Sequence, residues 1–175
     1  MKKSFFFDRD GVINEERGEY TFEIYDFRIL PGIIEIMEYV KKCGCHRVVI
    51  TNQSGISQGL YSREKMNACH SYFQTQSNNL VDEFYYAPDH PTVSESLSRK
   101  PDSLLFEKAI AKYELRAESS FMLGDKERDL IPARKLGIST ILLGSKSSEY
   151  ADFQFKDNLE LLDFLRKKLP INPRN

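Results

Sequence analysis

The sequence predicts a three-layer α/β fold, in which helices cover both faces of a doubly wound, mostly parallel sheet. Short apolar runs alternate with amphipathic segments along the chain, and no internal repeat is present. Several runs end in Gly, Asp, Thr or Ser, which is typical of strands that open onto a site at the carboxyl edge of a parallel sheet. The 175 residues fit one domain. We expect it to span residues 1–169, without a large cap domain, before a frayed tail at 170–175.

Composition excludes several classes of function. The 25 Lys and Arg residues nearly balance the 26 Asp and Glu residues, so the chain lacks the basic excess of a nucleic-acid-binding protein. No apolar run approaches the roughly 20 residues of a membrane span, and the run near the start is too short for a signal peptide. We therefore expect a cytoplasmic protein that acts on a small molecule, and we expect it to be a monomer.

The cysteines are expected to be free thiols, since an odd number without a secreted-scaffold pattern does not predict disulfides. They are Cys43, Cys45 and Cys69. The first two, followed by His46, could make a soft-metal or redox site. Small Cys side chains at a junction between a helix and a strand are more often packed in the core.

The first predicted strand, residues 5–7, leads into Asp8, Asp10 and Gly11. Residues i and i+2 of a strand point the same way, so the two carboxylates would repel each other unless a cation or a bend in the chain relieves them. Magnesium is the cation we expect. A strand-to-turn junction, with Asp capping and Gly turning, is the alternative explanation of the pattern.

The next segments continue the alternation of elements. Residues 13–30 have no clear period, so we expect a loop or short hairpin that acts as a lid over the strand end. A helix at 33–42 and a strand at 47–50 follow, and the strand leads into Thr51, Asn52, Gln53, Ser54 and Gly55. Hydroxyl groups and backbone amides in such a turn suit phosphate oxygens. An ordinary cap and turn would look the same.

A helix is predicted from about residue 62 to 77, with Met66, Cys69, His70 and Phe73 on its inner face. A strand at 83–86 leads into a Pro-stiffened loop that ends in Arg99 and Lys100. A guanidinium fork beside an ammonium group suits a dianionic substrate, although adjacent cations are commonly a solvated surface pair. A helix at 102–113 follows, capped by Asp102 or Ser103, with Leu104 and Ile110 among its inward residues.

The last part of the chain offers further carboxylates. A strand at 120–123 ends before Asp125 and Asp129, which are four apart and face the same mouth if the helix begins near Lys126. Acidic residues at a capped helix start are the plainer explanation. We then expect a strand at 138–143, a short edge strand within 151–155 and a closing helix at 159–165.

Four segments together resemble the ordered motifs of the haloacid dehalogenase (HAD) superfamily. They are Asp8-Arg9-Asp10-Gly11-Val12, Thr51-Asn52-Gln53, Lys100-Pro101 and Gly124-Asp125-Lys126-Glu127-Arg128-Asp129. The first, the second with its Ser-Gly-Ile continuation, and Arg-Lys-Pro resemble the D-glycero-D-manno-heptose 1,7-bisphosphate phosphatases of cell-envelope precursor synthesis, whose near relatives are histidinol-phosphate phosphatases. The resemblance implies a Mg²⁺-dependent phosphomonoesterase acting on a sugar bisphosphate.

The resemblance also implies a role for each matched residue. Asp8 would be the nucleophile that carries an aspartyl-phosphate, and Asp10 the general acid and base. Thr51 and Lys100 would bind the transferring phosphoryl group. Mg²⁺ would be held by Asp8, the backbone carbonyl of Asp10 and Asp125, with Asp129 orienting this set. The residues expected to bind substrate are Glu16, Arg17, Gly18, Asn52, Gln53, Ser54, Arg99 and Lys126.

One departure from the family pattern concerns zinc. The family commonly has Cys-x-His and Cys-x-Cys around this loop, where the chain has Ala87, Asp89, Ser96 and Ser98. We therefore expect no structural zinc, and a loop held by prolines and hydrogen bonds.

Three other functions remain as alternatives. The first is histidinol-phosphate phosphatase, although Arg99 should repel an ammonium substrate. The others are a nucleotidase or a phosphatase for another metabolite, and a non-catalytic phosphate-binding module.

Overall fold

The computed structural model describes residues 2–168, so the predicted tail at 170–175 lies outside the described residues. Strands and helices alternate along nearly the whole of this range. The elements are β1 (Lys3–Phe7), α1 (Ile33–Lys42), β2 (Cys45–Asn52), α2 (Arg63–Gln76), β3 (Glu83–Ala87), α3 (Leu104–Tyr113), β4 (Phe121–Gly124), α4 (Glu127–Lys135), β5 (Ser139–Leu143), β6 (Phe153–Phe155) and α5 (Asn158–Lys168). Short 3₁₀ turns lie at Ile24–Asp26 and Ala117–Ser119.

The six strands form one parallel sheet in the order β3-β2-β1-β4-β5-β6. The chain runs outward from β1 through β2 to β3, then returns to β4 on the other side of β1. This reversal is the point at which open parallel sheets bind ligands. The predicted doubly wound α/β fold is confirmed.

Helices cover both faces of the sheet. Phe5 and Phe7 pack in a cluster with side chains of α1, α2 and α5, whereas Phe6 packs in a second cluster with α3 and α4. Because side chains alternate along a strand, a strand covered on both sides needs an unbroken apolar run. The three Phe residues provide one, so β1 is held rigidly in the middle of the sheet.

Most predicted element boundaries differ from the structure by one to three residues, as β2 and α3 illustrate. Strand β2 pairs with β1 from Cys45 and with β3 up to Asn52, so it is longer at both ends than the predicted 47–50. Cys45 is buried in this strand, and all three cysteines are free. Helix α3 begins at Leu104, and neither predicted cap acts as one: Ser103 occupies the N-cap position without a side-chain capping hydrogen bond. Leu104 and Ile110 are only half-buried.

Residues 13–30 form a loop rather than a hairpin, with one 3₁₀ turn and an isolated antiparallel bridge between Asn14 and Ile29. This bridge holds the two ends of the loop together at the end of β1. Among residues 2–168, none of the helices has the length and apolar character needed to cross a membrane.

His70 on α2 makes the stability of the fold depend on pH. Its ring is buried and stacks on Phe84 at a centroid distance of 4.4 Å. Burial, followed by the charge of Arg9, lowers the pKa of His70 from 6.5 to about 3. The fold therefore favours neutral imidazole, and this stabilisation is complete above pH 6.5 and lost as the pH falls towards 3.

We expect His70→Gln to reduce the acid sensitivity of the free energy of unfolding. Within that window the free energy of unfolding of the wild type should fall by up to about 1.4 kcal/mol per pH unit because of His70. The variant should lack this contribution. Urea unfolding of both proteins at pH 7 and pH 5 measures the difference. Equal pH dependence in the two proteins would show that His70 does not titrate on unfolding.

Candidate active site

Three neighbouring strand ends and one loop converge at the carboxyl edge of the sheet. Asp8 follows β1, Thr51 lies near the end of β2, and Asp125 follows β4. Lys100 comes from the loop before α3 and reaches the end of β2, where its Nζ donates to the backbone oxygen of Ile50 at 2.7 Å. Because β1 lies between β2 and β4, these side chains meet around Asp8.

A buried ion-pair group occupies the centre of this edge. Lys100 Nζ lies 2.8 Å from Asp8 Oδ1 and 2.7 Å from Asp129 Oδ1, and all three side chains are at most 3% exposed. Burial by itself would lower the pKa of Lys100, but Asp129 and Asp8 raise it overall, so the ammonium group stays charged. Burial, and then repulsion from Asp129, raises the pKa of Asp8 to about 7 against the opposing effect of Lys100. One cation does not balance this set of carboxylates.

The same carboxylates form a candidate metal site. Asp8, Asp125 and Asp129 each place one oxygen within 4.8 Å of the others. Burial, and then Asp129, raises the pKa of Asp125 to about 6. Its Oδ1 is buried without a hydrogen-bond partner among the described residues. Such a set of hard oxygen ligands, short of positive charge, fits a divalent cation such as Mg²⁺.

Asp129 differs from the other two carboxylates in its partners. One of its oxygens pairs with Lys100, and the other accepts a hydrogen bond from the Lys126 backbone at 3.1 Å. Its β-carbon also lies 2.5 Å from the position of a Cβ added at Gly124, so only glycine fits beside it. Both oxygens are therefore occupied by protein groups, which suits a residue that orients the site.

Gly11 allows the segment after β1 to approach Asp125 at the end of β4. Its φ is +88°, and an added Cβ would lie 2.4 Å from Asp125 Oδ2. We expect Gly11→Ala to displace Asp125 and raise the Mg²⁺ concentration for half-maximal activity by about tenfold, a typical cost of disturbing the groups that orient a metal ligand.

Gly137→Ala is the matched control for that prediction. Gly137 has a φ of +78° but nothing within 4 Å of an added Cβ, so it should carry only the backbone cost of about 1 kcal/mol in stability. Magnesium titration of activity and urea unfolding separate the two effects. An unchanged magnesium requirement in Gly11→Ala would contradict the expectation.

Asp10 is held by three donors instead of lying against Lys100. Its Oδ1 accepts from Arg9 and from Asn14, both at 2.9 Å, and its Oδ2 accepts from Gln53 at 3.1 Å. Burial would raise the pKa of Asp10, but Arg9 and the hydrogen bonds from Arg9, Asn14 and Gln53 lower it overall. Arg9 is 1% exposed, and it donates to the Thr21 backbone oxygen at 2.6 Å. Arg9 thus connects the end of β1 to the loop at residues 13–30, the lid loop.

The residues expected to bind substrate are spread around this centre, and several have protein partners. Asn52 brackets Lys100, donating to its backbone oxygen and accepting from its backbone nitrogen, both at 3.0 Å. Gln53 contacts Asp10 and Thr51. Among the described residues, Ser54 and the lid loop make these contacts: Ser54 Oγ with Tyr20 at 3.3 Å, Arg17 with Asp26 at 2.9 Å, Glu16 with Lys126, and the Gly18 backbone with Glu16 at 3.0 Å.

Arg99 is placed differently from the other cations. It is half-buried, and its guanidinium donates to the Asp89 backbone oxygen at 3.4 Å. Burial, and then the nearby charge of Arg128, lowers the pKa of Arg99. Within the described part of the chain, no carboxylate forms an ion pair with Arg99, so the guanidinium is available to an anion.

The loop at 87–98 is held by side-chain hydrogen bonds. The hydroxyls of Ser96 and Ser98 lie 2.8 Å apart, and His90 Nδ1 lies 2.8 Å from the hydroxyl of Thr92. The backbone of His90 donates to Ser57 at 2.9 Å, which fastens the loop to the segment after β2. Ser96 and Ser98 stand at two of the positions where the family commonly has zinc ligands. Their hydrogen bond agrees with the expectation that hydrogen bonds help to hold this loop.

Three residues of the site were not among those predicted: Arg9, Asn14 and Tyr61. Arg9 and Asn14 hold Asp10 directly, and Tyr61 donates to Gln53 at 2.8 Å. Arg9 lies between two Asp residues directly after an apolar strand, and this position is a signal that could have pointed to it. Nothing in the local sequence indicates that the phenol of Tyr61 reaches Gln53.

Comparison with known proteins places the chain in a family. A profile of the family described as HAD-hydrolase-like matches residues 97–163. The D-glycero-beta-D-manno-heptose-1,7-bisphosphate 7-phosphatase of Helicobacter pylori (strain ATCC 700392 / 26695) is 30% identical over 171 residues, covering 94% of this chain and 98% of that protein. The D-glycero-alpha-D-manno-heptose-1,7-bisphosphate 7-phosphatase of Burkholderia mallei is 35% identical over 150 residues, covering 81% and 79%.

Solved structures share the fold. The D,D-heptose 1,7-bisphosphate phosphatase of B. bronchiseptica, complexed with magnesium and phosphate, superposes with a TM-score of 0.85 at 23% identity, covering 95% of this chain and 99% of that one. The sequence similarity over nearly the whole length and the shared architecture both relate the chain to heptose bisphosphate phosphatases. The chain therefore belongs to the heptose-1,7-bisphosphate 7-phosphatase family of HAD-like hydrolases and is a phosphatase of phosphate monoesters.

Proposed function

We propose that this phosphatase is Mg²⁺-dependent, acts through an aspartyl-phosphate on Asp8, and removes a phosphate from D-glycero-D-manno-heptose 1,7-bisphosphate. The observation that carries the proposal is the buried group at the centre of the site. Asp8 has the Lys100 ammonium 2.8 Å from one oxygen and lies in a cluster with Asp125 and Asp129. A nucleophilic carboxylate needs such positive charge beside it to accept a phosphate dianion.

In this proposal Asp8, the backbone carbonyl of Asp10 and Asp125 would hold Mg²⁺. Bound there, the ion would offset the repulsion between the nucleophile and the phosphate. Lys100 and the hydroxyl of Thr51 would bind the phosphoryl oxygens, where charge shifts in the transition state. Asp129 orients Lys100, to which it is paired at 2.7 Å.

The reaction proceeds in two steps. The first step needs Asp10 to carry a proton when substrate is bound, although its contacts in the free protein favour the carboxylate. An oxygen of Asp8 attacks phosphorus, the bond to the sugar oxygen breaks, and its electron pair stays on that oxygen, which takes this proton from Asp10. In the second step Asp10, now a carboxylate, takes a proton from water while the water oxygen attacks phosphorus. The bond to Asp8 breaks, its electron pair returns to the carboxylate, and phosphate leaves.

Recognition of the rest of the substrate falls to groups around this centre. Arg99 would bind the distal phosphate, because its guanidinium has no ion-pair partner among residues 2–168. Lys126, Ser54 and the lid residues Glu16, Arg17 and Gly18 would contact the sugar. Asn52 and Gln53 would act indirectly, since the side chain of Asn52 holds the Lys100 backbone and that of Gln53 holds Asp10. The backbone of Gln53 is also bonded, to Ala87 and Ile56.

The test is Mg²⁺-dependent phosphate release from both anomers of D-glycero-D-manno-heptose 1,7-bisphosphate, with histidinol phosphate and simple sugar monophosphates alongside. We expect the bisphosphate to have the highest kcat/KM, and Arg99→Ala to lower it mainly for the bisphosphate. Equal or better turnover of histidinol phosphate would mean a change of substrate. Absence of turnover with every ester would contradict the catalytic proposal. That result is the one expected of a non-catalytic phosphate-binding module.

Three further expectations stay predictions. Metal analysis should find no stoichiometric zinc, light scattering should find a monomer, and fractionation of cells should place the protein in the cytoplasm.

A further inference from the structure

The side chain of Gln53 is fully engaged by protein groups at the edge of the site. Its Nε2 donates to Asp10 Oδ2 at 3.1 Å and to Thr51 Oγ1 at 3.0 Å. Its Oε1 accepts from the Tyr61 hydroxyl at 2.8 Å. Gln53 is 1% exposed and Tyr61 is 6% exposed. The amide therefore has neither a free polar atom nor the exposure that a substrate ligand needs.

Tyr61 decides which end of the amide faces Asp10. A carboxamide has one acceptor end and one donor end of nearly equal size, so its orientation is set by its partners. The phenol donates to Oε1, which leaves the NH₂ group to face Asp10. In the opposite orientation Oε1 would face the carboxylate oxygen, and two acceptors would repel each other.

Tyr61 is itself fixed by the lid loop. Its ring stacks on Phe22 at 4.9 Å with an interplanar angle of 11° and lies 5.6 Å from Tyr20. An added Cβ at Gly55 would lie 2.3 Å from the ring, so the turn after β2 also packs closely against Tyr61. The phenol is thus held in one place by two segments of the chain.

We propose that Gln53 is a positioning residue for Asp10, and that Tyr61 fixes the amide in the orientation that does this. The inference rests on the proposed function of Asp10. Gln53 donates to Asp10 as a carboxylate, which is the form that takes a proton from water in the second step. Loss of this hydrogen bond should slow hydrolysis of the aspartyl-phosphate more than its formation.

The experiment follows hydrolysis of p-nitrophenyl phosphate with Mg²⁺, since p-nitrophenolate leaves with little need of a proton. We expect Gln53→Ala to lower kcat about tenfold and Tyr61→Phe about threefold, as partial losses of a general-base contribution. KM should fall in proportion, so kcat/KM should stay within about twofold, because it reports only the first step. In Gln53→Ala, rapid mixing should show a burst of p-nitrophenolate close to the enzyme concentration and larger than in the wild type.

Two comparisons make the test specific. The double variant should be no slower than Gln53→Ala, since Tyr61 acts through Gln53. Tyr20→Phe is the matched control: its hydroxyl bonds Gln58 at 3.0 Å and contacts Ser54 but not Gln53, so its kcat and burst should equal those of the wild type. Thermal unfolding confirms that each variant is folded, and if Tyr61→Phe is not, Gln53→Ala alone decides.

The outcomes separate the two proposals. A wild-type enzyme that releases no phosphate from any monoester contradicts the proposed function. A wild-type enzyme that turns over, with kcat and kcat/KM falling together in Gln53→Ala, overturns the positioning role and leaves the phosphatase in place. If Tyr61→Phe lowers kcat as much in the Gln53→Ala background as it does alone, Tyr61 does not act through Gln53, and its proposed role is overturned.

Discussion

Replacing Asp8 with Asn is expected to lower kcat by at least about 10⁴-fold, as loss of a nucleophile does in enzymes that form covalent intermediates. The amide has nearly the shape of the carboxylate but is not a nucleophile. The fold should persist, because Lys100 keeps its partner Asp129 at 2.7 Å. Burial raises the pKa of Asp8 to about 7, so the charged form is disfavoured and a neutral amide should not lower the melting temperature.

Asp163→Asn is the control for this prediction. Asp163 is exposed and pairs with Lys167 at 2.6 Å within α5, so its loss should leave turnover unchanged. Steady-state kinetics and thermal unfolding of both variants, with and without Mg²⁺, are the measurements. Turnover retained in Asp8→Asn would refute the assignment of the nucleophile.

Replacing Lys100 with Met should have the largest combined effect on activity and stability. Lys100 is 1% exposed and contacts Asp8, Asp129 and the Ile50 backbone. Removing one partner of a buried ion pair leaves uncompensated charge and costs about 3–5 kcal/mol. Loss of a donor to the phosphoryl group should lower kcat by about 10²- to 10³-fold. Urea unfolding at low temperature and kinetics at saturating Mg²⁺ measure the two losses.

A second substitution separates the two effects of Lys100. In Lys100→Met combined with Asp129→Asn, one of the buried carboxylates is also removed. Stability should therefore recover by at least about 1 kcal/mol, since neighbouring charges couple by amounts of this size. Activity should not recover, because the donor to the phosphoryl group is still missing. A double variant less stable than Lys100→Met would show that repulsion between these carboxylates is not the cause.

The position of the central residues followed from local patterns. Asp8 and Asp125 each come directly after a strand or its last glycine, and Thr51 lies at the end of another strand. The carboxyl ends of parallel strands share one edge of the sheet, so side chains far apart in the chain meet there. Apolar runs ending in polar residues thus predicted the group around Asp8 before any contact was known.

The partners of the polar side chains were not predictable in the same way. Asn52 was expected at the substrate, but it brackets Lys100, 48 residues away in the chain. Gln53 was expected there too, but it contacts Asp10, 43 residues away. Arg9 follows a nucleophile candidate, and charged side chains are mostly exposed, yet it is buried beneath the lid loop and donates to the backbone of Thr21.

The sequence by itself therefore determined the fold class and the chemical groups gathered at the carboxyl ends of the strands. Those features depend on periodicity and on residue type, which are local. Only the tertiary structure decided which polar atoms face each other, how far β2 extends, and that Tyr61 reaches Asp10 through Gln53. Hydrogen bonds extend over about 3 Å and depend on direction, so packing of distant segments must place both partners before either role exists.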